Sequence, residues 1–436
     1  MKGRYWALVD VDNCYVSCER SFRPDLNGRV VVVLSNNDGC VVARSNEAKQ
    51  LGIKEGTPYF QLAQLFPGQE IFAFSSNYEL YADMTRRLMN IVGAHCPEFH
   101  RYSIDEGFCV LDGMEHMDLK TWGENLHKTI LHGLGMPVSI GIARTKTLAK
   151  MASKFAKRYP GYHHCCMIDT EEKRLKALSL FPIGDVWGIG RRWEYKLQQY
   201  QVKSALDFAK MSRSFVRDAF NVFAERTWME LNGKDCIPID DMEHVTKKSV
   251  CTSRSFPNML TELNDIRTHV ANYAARCAAK LRQQHSVTGF VSVFIDTNRF
   301  RDDLPQYGMY KTKRLLTPSN STQTIVDAAI DCLKRAYIAG FQYKRAGVLV
   351  MDLCPDNAIQ TNLIDFHAAN YEKMRKVDAA VDKINRIEGR ETIVLGSQQY
   401  TKKYGKGKAG HFADAIKHDL KSPNYTTRWS DIIKVH

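Results

Sequence analysis

Two adjacent acids occupy a predicted junction between strands. The stretch RYSIDEGF, residues 101–108, carries Asp105 and Glu106 directly before Gly107. Successive side chains of a strand point to opposite faces, so adjacent acids can share one site only where the strand bends or ends. Gly107 permits such a bend. The stretch ALVDVDN ends a second apolar run at Asp10, which predicts a third carboxylate at the same site.

A cluster of three carboxylates favours metal-dependent chemistry. Their mutual repulsion is severe unless hard divalent cations neutralise it. Magnesium takes oxygen ligands and leaves room for water and phosphate oxygens, and two such ions can activate an attacking hydroxyl and stabilise a leaving pyrophosphate. The alternative for an Asp-Glu pair before a glycine is a solvated hairpin turn, which the spacing alone leaves open.

Tyr15 follows Asp10 closely in the stretch DVDNCY. An aromatic ring at this place could lie under the sugar of a bound nucleotide, where a ribose 2′-hydroxyl would collide with it and a deoxyribose would not. The alternative is an ordinary core tyrosine, and only the neighbouring acids favour the first interpretation.

A row of lysines recurs at helical spacing in the stretch KTLAKMASKFAK, comprising Lys146, Lys150, Lys154 and Lys157. Residues three and four apart share one face of a helix, where like charges repel unless an anion lies alongside. The row therefore predicts either a surface for a polyanion or a solvated basic face.

The stretch DVWGIGRR places Gly188, Ile189 and Gly190 between two apolar helical segments, and Arg191 and Arg192 follow. Glycines let backbone amides approach a phosphate at the start of a helix, and arginines add charge. The pattern is typical of a helix-hairpin-helix that contacts the DNA backbone without reading its sequence. A plain turn between two helices is the alternative.

The elements that position these residues follow one layout twice. Up to residue 168 the pattern predicts strand, helix, strand, strand, helix, strand, with a small unit of residues 26–74 inserted. This order predicts a mixed sheet with helices on one face. A mostly helical stretch follows, and residues 249–353 repeat the layout in a separate domain.

Composition limits the class of protein. The 61 lysines and arginines exceed the 48 acids, which gives a formal charge of +13 and favours a polyanionic partner. No apolar run is long enough to span a bilayer, so we expect a cytoplasmic protein without membrane association. The twelve cysteines are scattered, and neither the pair Cys14 and Cys18 nor the stretch HHCC at 163–166 has convincing zinc spacing.

These features together resemble the Y-family of translesion DNA polymerases, and in particular its bacterial UmuC type. The matching stretches are ALVDVDNCYVSCE, FRPDLNGRVVVVLSNNDGCVVARS, FSSNYELYADM, YSIDEGF, GIARTKTLAK, DVWGIGRR, SRSF, LLTP and SPNYTTRWSD. They span nearly the whole chain. The resemblance implies an error-prone polymerase of the SOS response to DNA damage, with an α+β multidomain fold built like a right hand.

The resemblance also implies a role for individual residues. Asp10, Asp105 and Glu106, helped by the carbonyl of Val11, would bind two Mg²⁺ ions, and Tyr15 would be the steric gate against ribonucleotides. The triphosphate would contact Lys157, the backbone amides of Cys14 and Tyr15, and the fingers residues Asn46 and Lys49. The last two stand where many relatives carry a tyrosine and an arginine, and Cys14 replaces the usual aromatic, which predicts a looser sugar pocket.

The implied domain boundaries agree with the layout of predicted elements. They are residues 1–25 and 75–168 for the palm, 26–74 for the fingers, 169–237 for the thumb, 238–245 for a linker, 246–353 for the little finger, and 354–436 for a tail that binds partners. The family implies primer-template DNA, deoxynucleotides, a UmuD′-type dimer, a RecA filament and a sliding clamp as partners. Gln360, Leu363 and Ile364 in QTNLI resemble a degenerate clamp-binding peptide, and an incidental apolar stretch is the alternative.

Two rival functions fit parts of the pattern. A nucleotidyl cyclase also uses paired acids and two metals on a comparable sheet, but it needs no DNA-binding hairpin and usually carries a diglycine before the acids. A catalytically silent, DNA-bound scaffold of a damage-response complex would keep the fold and the basic charge. Only the second would tolerate loss of the acids.

Overall fold

The computed structural model describes residues 4–114, 116–239, 246–357, 359–361, 368–389, 391–398 and 418–433. The chain forms two compact units, the first from Met1–Val245 with His418–His436 and the second from Thr246–Lys417. The end of the chain thus returns to the unit that contains its beginning.

The first unit alternates short strands with helices. Its described elements in chain order are β1 (Trp6–Val11), α1 (Cys14–Phe22), β2 (Val30–Leu34), β3 (Val41–Arg44), α2 (Asn46–Gln50), α3 (Leu62–Leu65), β4 (Ile71–Ser75), α4 (Tyr78–Ala94), β5 (Glu98–Arg101), β6 (Glu106–Val110), α5 (Leu119–Leu134), β7 (Val138–Ala143), α6 (Lys146–Arg158), β8 (Cys165–Ile168), α7 (Glu171–Leu180), α8 (Arg191–Gln199), α9 (Ala205–Ala209), α10 (Arg213–Ala219) and α11 (Val222–Leu231).

A five-stranded sheet in the order β5-β6-β1-β7-β8 forms the centre of this unit. Strands β7 and β8 are parallel, and the other neighbours are antiparallel. Leu8 of β1 packs in a core with α6, whereas Val9 packs in a core with α4 and α5. The prediction of helices on one face is therefore wrong. The reason is visible in β1, whose continuous apolar run lets both faces of the strand be buried.

A smaller sheet in the order β3-β2-β4 is inserted between α1 and α4. Strand β2 pairs antiparallel with β3 and parallel with β4. Val32, Leu34 and Ile53 belong to its own hydrophobic core. Helices α7 to α11 follow the five-stranded sheet, and Leu178, Phe208 and other side chains from them share one core with α6.

The second unit contains β9 (Val250–Leu260), α12 (Leu263–Gln283), β10 (Ser286–Thr297), β11 (Gly308–Ser319), α13 (Thr322–Ala336), β12 (Tyr343–Pro355) and α14 (Ala368–Ile387). Its antiparallel sheet has the order β11-β10-β12-β9. Val291 and Val293 of β10 are buried with α12 and α13. The opposite face of the sheet carries Arg314, which is exposed and pairs with Phe290 in register.

The predicted tail of residues 354–436 is divided in the structure. Strand β12 continues to Pro355, and α14 packs in the second unit, where Arg282 forms hydrogen bonds of 2.7 and 2.8 Å with Asp382. Residues 418–433 instead lie in the first unit. Of the clamp-like peptide, Leu363 and Ile364 lie outside the described residues. Most of the predicted linker, residues 240–245, also lies outside them.

No helix in the described part of the chain is long and apolar enough to cross a membrane.

Candidate active site

Strand pairing brings the predicted acids together. In the antiparallel pair of β1 and β6, Asp10 lies directly opposite Glu106, so both side chains point to the same face of the sheet. Asp105 directly precedes β6, and its carbonyl accepts a hydrogen bond of 3.0 Å from the amide of Val11. The two segments are thereby joined at the point where the acids meet.

Ser103 shapes the turn that carries the acids. Its hydroxyl donates to Asp105 Oδ1 at 2.6 Å and accepts from the amides of Asp105 and Glu106 at 3.1 and 2.9 Å. Gly107 has a different role from the bend that the sequence predicted. A Cβ there would stand 2.4 Å from the ring of Phe99, so glycine is required by close packing. The bend itself is made by the turn before β6.

The lysine row on α6 is neither a solvated face nor one open surface for a polyanion. Each of its members pairs with a carboxylate. Lys146 pairs with Asp235, Lys150 with Glu106, Lys154 with Asp185, and Lys157 with Asp10 and Asp12. Two members of the row thus supply positive charge directly to the predicted catalytic acids.

The electrostatics of Asp10 reflect its crowded surroundings. The pKa of its carboxyl is raised to about 6, chiefly by burial; Lys157 opposes the rise, and the negative charges of Glu106, Asp12 and Asp105 add to it. Burial alone would lower the pKa of Lys157, but attraction to Asp10 and Asp12 outweighs burial and raises it. Excess negative charge is therefore concentrated where a cation would relieve it.

The acids line a cavity of about 510 Å³ together with positively charged residues of the small sheet and α6. Arg44, Lys49 and Lys157 line it as well. Burial lowers the pKa of Lys49, and repulsion from Lys157 and Arg44 lowers it further. One cavity thus contains an acidic group and a cluster of cations. Arg44 was missed by the sequence analysis because nothing in its spacing connects it with the acids.

The gate tyrosine lines the same cavity. Tyr15 lies in the first turn of α1, and its ring stacks on Tyr81 with centroids 4.6 Å apart and planes 16° apart. Tyr78 meets it edge to face at 5.8 Å. Cys14, the residue before Tyr15, also lines the cavity but carries no aromatic ring. The aromatic support of Tyr15 therefore comes from α4.

Asn13 connects the start of α1 with the predicted triphosphate residues. Its φ of 49° is left-handed, a conformation that asparagine tolerates, and it makes no side-chain cap of α1. It accepts a hydrogen bond of 2.5 Å from Lys49 Nζ and donates one of 2.9 Å to Asn46 Oδ1. Asn46 therefore supports the cavity wall through Asn13, whereas Lys49 lines the cavity itself.

Comparison with known proteins identifies the family. Residues 9–154 match the model of the impB/mucB/samB family, residues 247–363 match its C-terminal domain, and residues 375–435 match a domain of unknown function. The chain belongs to the impB/mucB/samB family. It is 40% identical to the protein UmuC of Salmonella typhimurium, over 99% of this chain and 100% of that protein. It is 38% identical to the protein SamB of the same species, over 98% of each.

The impB/mucB/samB assignment extends to fold. A chimeric Y-family DNA polymerase of Dbh and Dpo4 matches with a TM-score of 0.64 at 18% identity, covering 80% of this chain and 99% of that one. The DNA polymerase IV of Oceanobacillus iheyensis is 25% identical over 90% of this chain and 91% of its own. The predictions of a UmuC-type Y-family DNA polymerase, of its enzyme class and of its α+β fold are confirmed.

Y-family polymerases are metal-dependent, and the donor set of this family member suits a hard cation. Its three carboxylates line one cavity, where burial, with a smaller contribution from the neighbouring acids, raises the pKa of Asp10. As the side chains stand within the described ranges, no group of three or more His, Cys, Asp or Glu could hold a metal ion, so the three acids would have to rearrange around a cation. Glu106 is paired with Lys150, so cation binding would require this carboxylate to exchange or share its partner.

The glycines of the predicted helix-hairpin-helix lie between a three-residue 3-10 turn, Ile183–Asp185, and α8. Gly188 has a φ of 91°, and a Cβ there would stand 2.8 Å from Thr227 Oγ1. Ile189 is buried, and Gly190 is the N-cap of α8. Arg191 and Arg192 begin α8 and are exposed. The role of these five residues in DNA binding stays a prediction.

Proposed function

We propose that this protein is a template-directed translesion polymerase that extends a primer 3′-hydroxyl with deoxynucleotides at the cavity described above. One observation carries the proposal. Asp10 and Glu106 are directly opposed in register, Asp105 precedes Glu106, and all three line one cavity with Tyr15 and Lys157. Acids for metal-assisted phosphoryl transfer and groups for a nucleotide are thus in one place.

Asp10, Asp105 and Glu106, with the carbonyl of Val11, would hold two Mg²⁺ ions, which supply charge stabilisation for the attacking and departing oxygens. The reaction forms a bond between the primer 3′-oxygen and the α-phosphorus and breaks the bond to the β-phosphate. The 3′-hydroxyl loses its proton, and pyrophosphate leaves. Lys157 holds Asp10 in place at 3.3 Å and adds positive charge beside the reacting phosphate.

The cation cluster of Arg44, Lys49 and Lys157 would bind the triphosphate. Burial is the main cause of the lowered pKa of Lys49, and repulsion from Lys157 and Arg44 adds to it; a polyanion would relieve this repulsion. The amides of Cys14 and Tyr15 lie at the start of α1, where helix amides lack intrahelical partners. They would bind phosphate oxygens in addition.

Tyr15 would select deoxyribose by excluding a 2′-hydroxyl. The outer face of the second unit's sheet would contact phosphates of the primer-template, contacts that carry no sequence information. In the first unit, the exposed Arg191 and Arg192 would make contacts of the same kind. A small finger domain encloses the nascent pair loosely, so fewer contacts penalise a damaged base and fidelity is low. The proposed setting is the cytoplasmic SOS response, with a UmuD′-type dimer, a RecA filament and a sliding clamp as partners.

Primer extension with Mg²⁺ tests this proposal. Asp105→Asn and Glu106→Gln should each reduce the extension rate by about a thousandfold, the cost typical of losing a preorganised charge at the reacting centre. Asp112→Asn is the matched control, because Asp112 is an exposed acid paired with Arg4. Unchanged extension in both acid variants would favour the scaffold and refute the polymerase site.

A further inference from the structure

The C-terminal segment of residues 418–433 packs against β4, α1 and α4. The carbonyl of Leu420 accepts a hydrogen bond of 3.1 Å from the amide of Ser75, at the end of β4. The amide of Leu420 donates one of 2.9 Å to the hydroxyl of the same serine. Tyr425 stacks on Phe22 of α1 with ring centroids 4.5 Å apart. The segment therefore contacts both the small sheet and the helix that carries Tyr15. It falls in the stretch that matches a domain of unknown function.

The segment also holds the start of α4, which supports the gate. Asn77 caps this helix by accepting from the amide of Leu80, and its Nδ2 donates to the carbonyl and hydroxyl of Ser422, each at 3.1 Å. Asn424 in turn donates to Glu79 at 2.7 Å. Tyr78 and Tyr81, the two rings around Tyr15, belong to this helical turn.

Glu19 is the meeting point of these contacts. It lies one helical turn after Tyr15 on α1, so both side chains face α4. Its Oε1 accepts from Tyr81 at 2.6 Å and from Ser422 at 2.9 Å. The carboxyl is fully buried, and its Oε2 has no hydrogen-bond partner among the residues that the structure describes. A buried carboxyl that accepts only two hydroxyls depends strongly on both of them.

We propose that Glu19, Tyr81 and Ser422 are positioning residues for the steric gate, and that the C-terminal segment thereby contributes to sugar selection. The chain of contacts runs from Ser422 to Glu19, from Glu19 to the hydroxyl of Tyr81, and from the Tyr81 ring to the Tyr15 ring. A gate excludes a 2′-hydroxyl only if its ring cannot retreat. The fixed Tyr81 ring prevents that retreat, and loss of either hydroxyl loosens it.

This inference rests on the proposed gate role of Tyr15, and the experiment separates the two. Single-nucleotide insertion by the full chain is measured with dATP and ATP opposite the same template base. The readout is the ratio of the two kcat/KM values, which partial unfolding does not change because it affects both substrates equally. Tyr15→Ala should abolish most of the preference for dATP, and an unchanged ratio in this variant would refute the gate itself.

Ser422→Ala and Tyr81→Phe should each reduce the preference for dATP by about threefold to tenfold, the effect of losing one hydrogen bond to a buried carboxyl. The double variant should lose less than the product of the two, since both changes act through Glu19 Oε1. Ser430→Ala is the matched control, because its hydroxyl donates to the neighbouring Asp431 and, in the described part of the chain, is not linked to Glu19 or Tyr81. If Tyr15→Ala collapses the ratio while Ser422→Ala and Tyr81→Phe leave it within twofold of the wild type, the inference is wrong.

Discussion

The Nζ atom of Lys150 lies 2.9 Å from both carboxylate oxygens of Glu106. The ammonium group also lies 4.6 Å from the ring centroid of Tyr102 and 5.3 Å from that of Trp187. Glu106 is therefore held by a positive charge that is itself fixed by aromatic rings. A lysine in this position competes with any divalent cation for the same carboxylate.

Lys150→Gln should lower the Mg²⁺ concentration that half-saturates primer extension by about fivefold, because one competing charge at the acids is removed. The maximal rate should fall, since Glu106 loses the contact that orients it. A Mg²⁺ titration of the extension rate measures both effects. Lys154→Gln is the control, because Lys154 lies on the same face of α6 but pairs with Asp185. Equal shifts in the two variants would contradict a specific role for Lys150.

The sequence predicted the acids but not their partners. The apolar runs and the predicted order of elements placed Asp10 and Asp105 at strand ends, and both line the cavity. The lysine spacing correctly predicted one helical face. Which carboxylate each lysine meets depends on tertiary contacts between segments far apart in the chain, and local patterns hold no information about such contacts. Gly107 was misread for a similar reason, because the ring above it comes from β5.

The same limit applies to Glu19 and Ser422. Nothing local distinguishes Glu19 in CYVSCERSF from a surface acid of an amphipathic helix, and its burial depends on a segment 403 positions away. The predicted tail of residues 354–436 appeared polar and aperiodic as a whole. The structure divides it because its last part is completed by contacts to α1 and α4, which no composition argument can reveal.

Removing Arg44 tests the cation cluster of the cavity. Arg44→Gln should raise the KM for deoxynucleotides by about tenfold, the effect of losing a charge-assisted contact to phosphate, with a smaller change in kcat. Steady-state insertion kinetics measure this separation. Arg29→Gln is the control, because Arg29 is an exposed arginine of the same inserted unit that lies 3.8 Å from Glu70. A KM unchanged from that of the wild type would remove Arg44 from the triphosphate site.

Phosphate contacts by the second unit should make DNA affinity depend on salt. The logarithm of the binding constant is expected to fall linearly with the logarithm of salt concentration, and Arg314→Gln should reduce the slope by about 1 if Arg314 contacts one phosphate. Fluorescence anisotropy with a primer-template across a salt series measures the slope. Asp327→Asn, an exposed change on α13, should leave it unaltered. A binding constant that does not change with salt concentration would contradict backbone binding altogether.

Glu19 should make the stability of the first unit depend on pH. Burial raises the pKa of its carboxyl from 4.5 to about 7, and the hydrogen bonds from Tyr81 and Ser422 only partly oppose this. The folded protein therefore retains a proton that the unfolded chain releases. The stabilisation from this proton is complete below about pH 4.5 and is lost as the pH rises through 7. Its full size is about 3 kcal/mol.

Glu19→Gln removes this titration, so the fall in melting temperature between pH 5 and pH 8 should be smaller than in the wild type by about 5 °C or more. Other groups titrate in both proteins, and for that reason the difference between them is the measured quantity. Glu70→Gln, at a mostly exposed carboxylate, should retain the wild-type pH dependence. If Glu19→Gln also retains the wild-type pH dependence, Glu19 does not bind its proton more tightly in the folded state. The ionised carboxylate is then stabilised by groups other than the two hydroxyls.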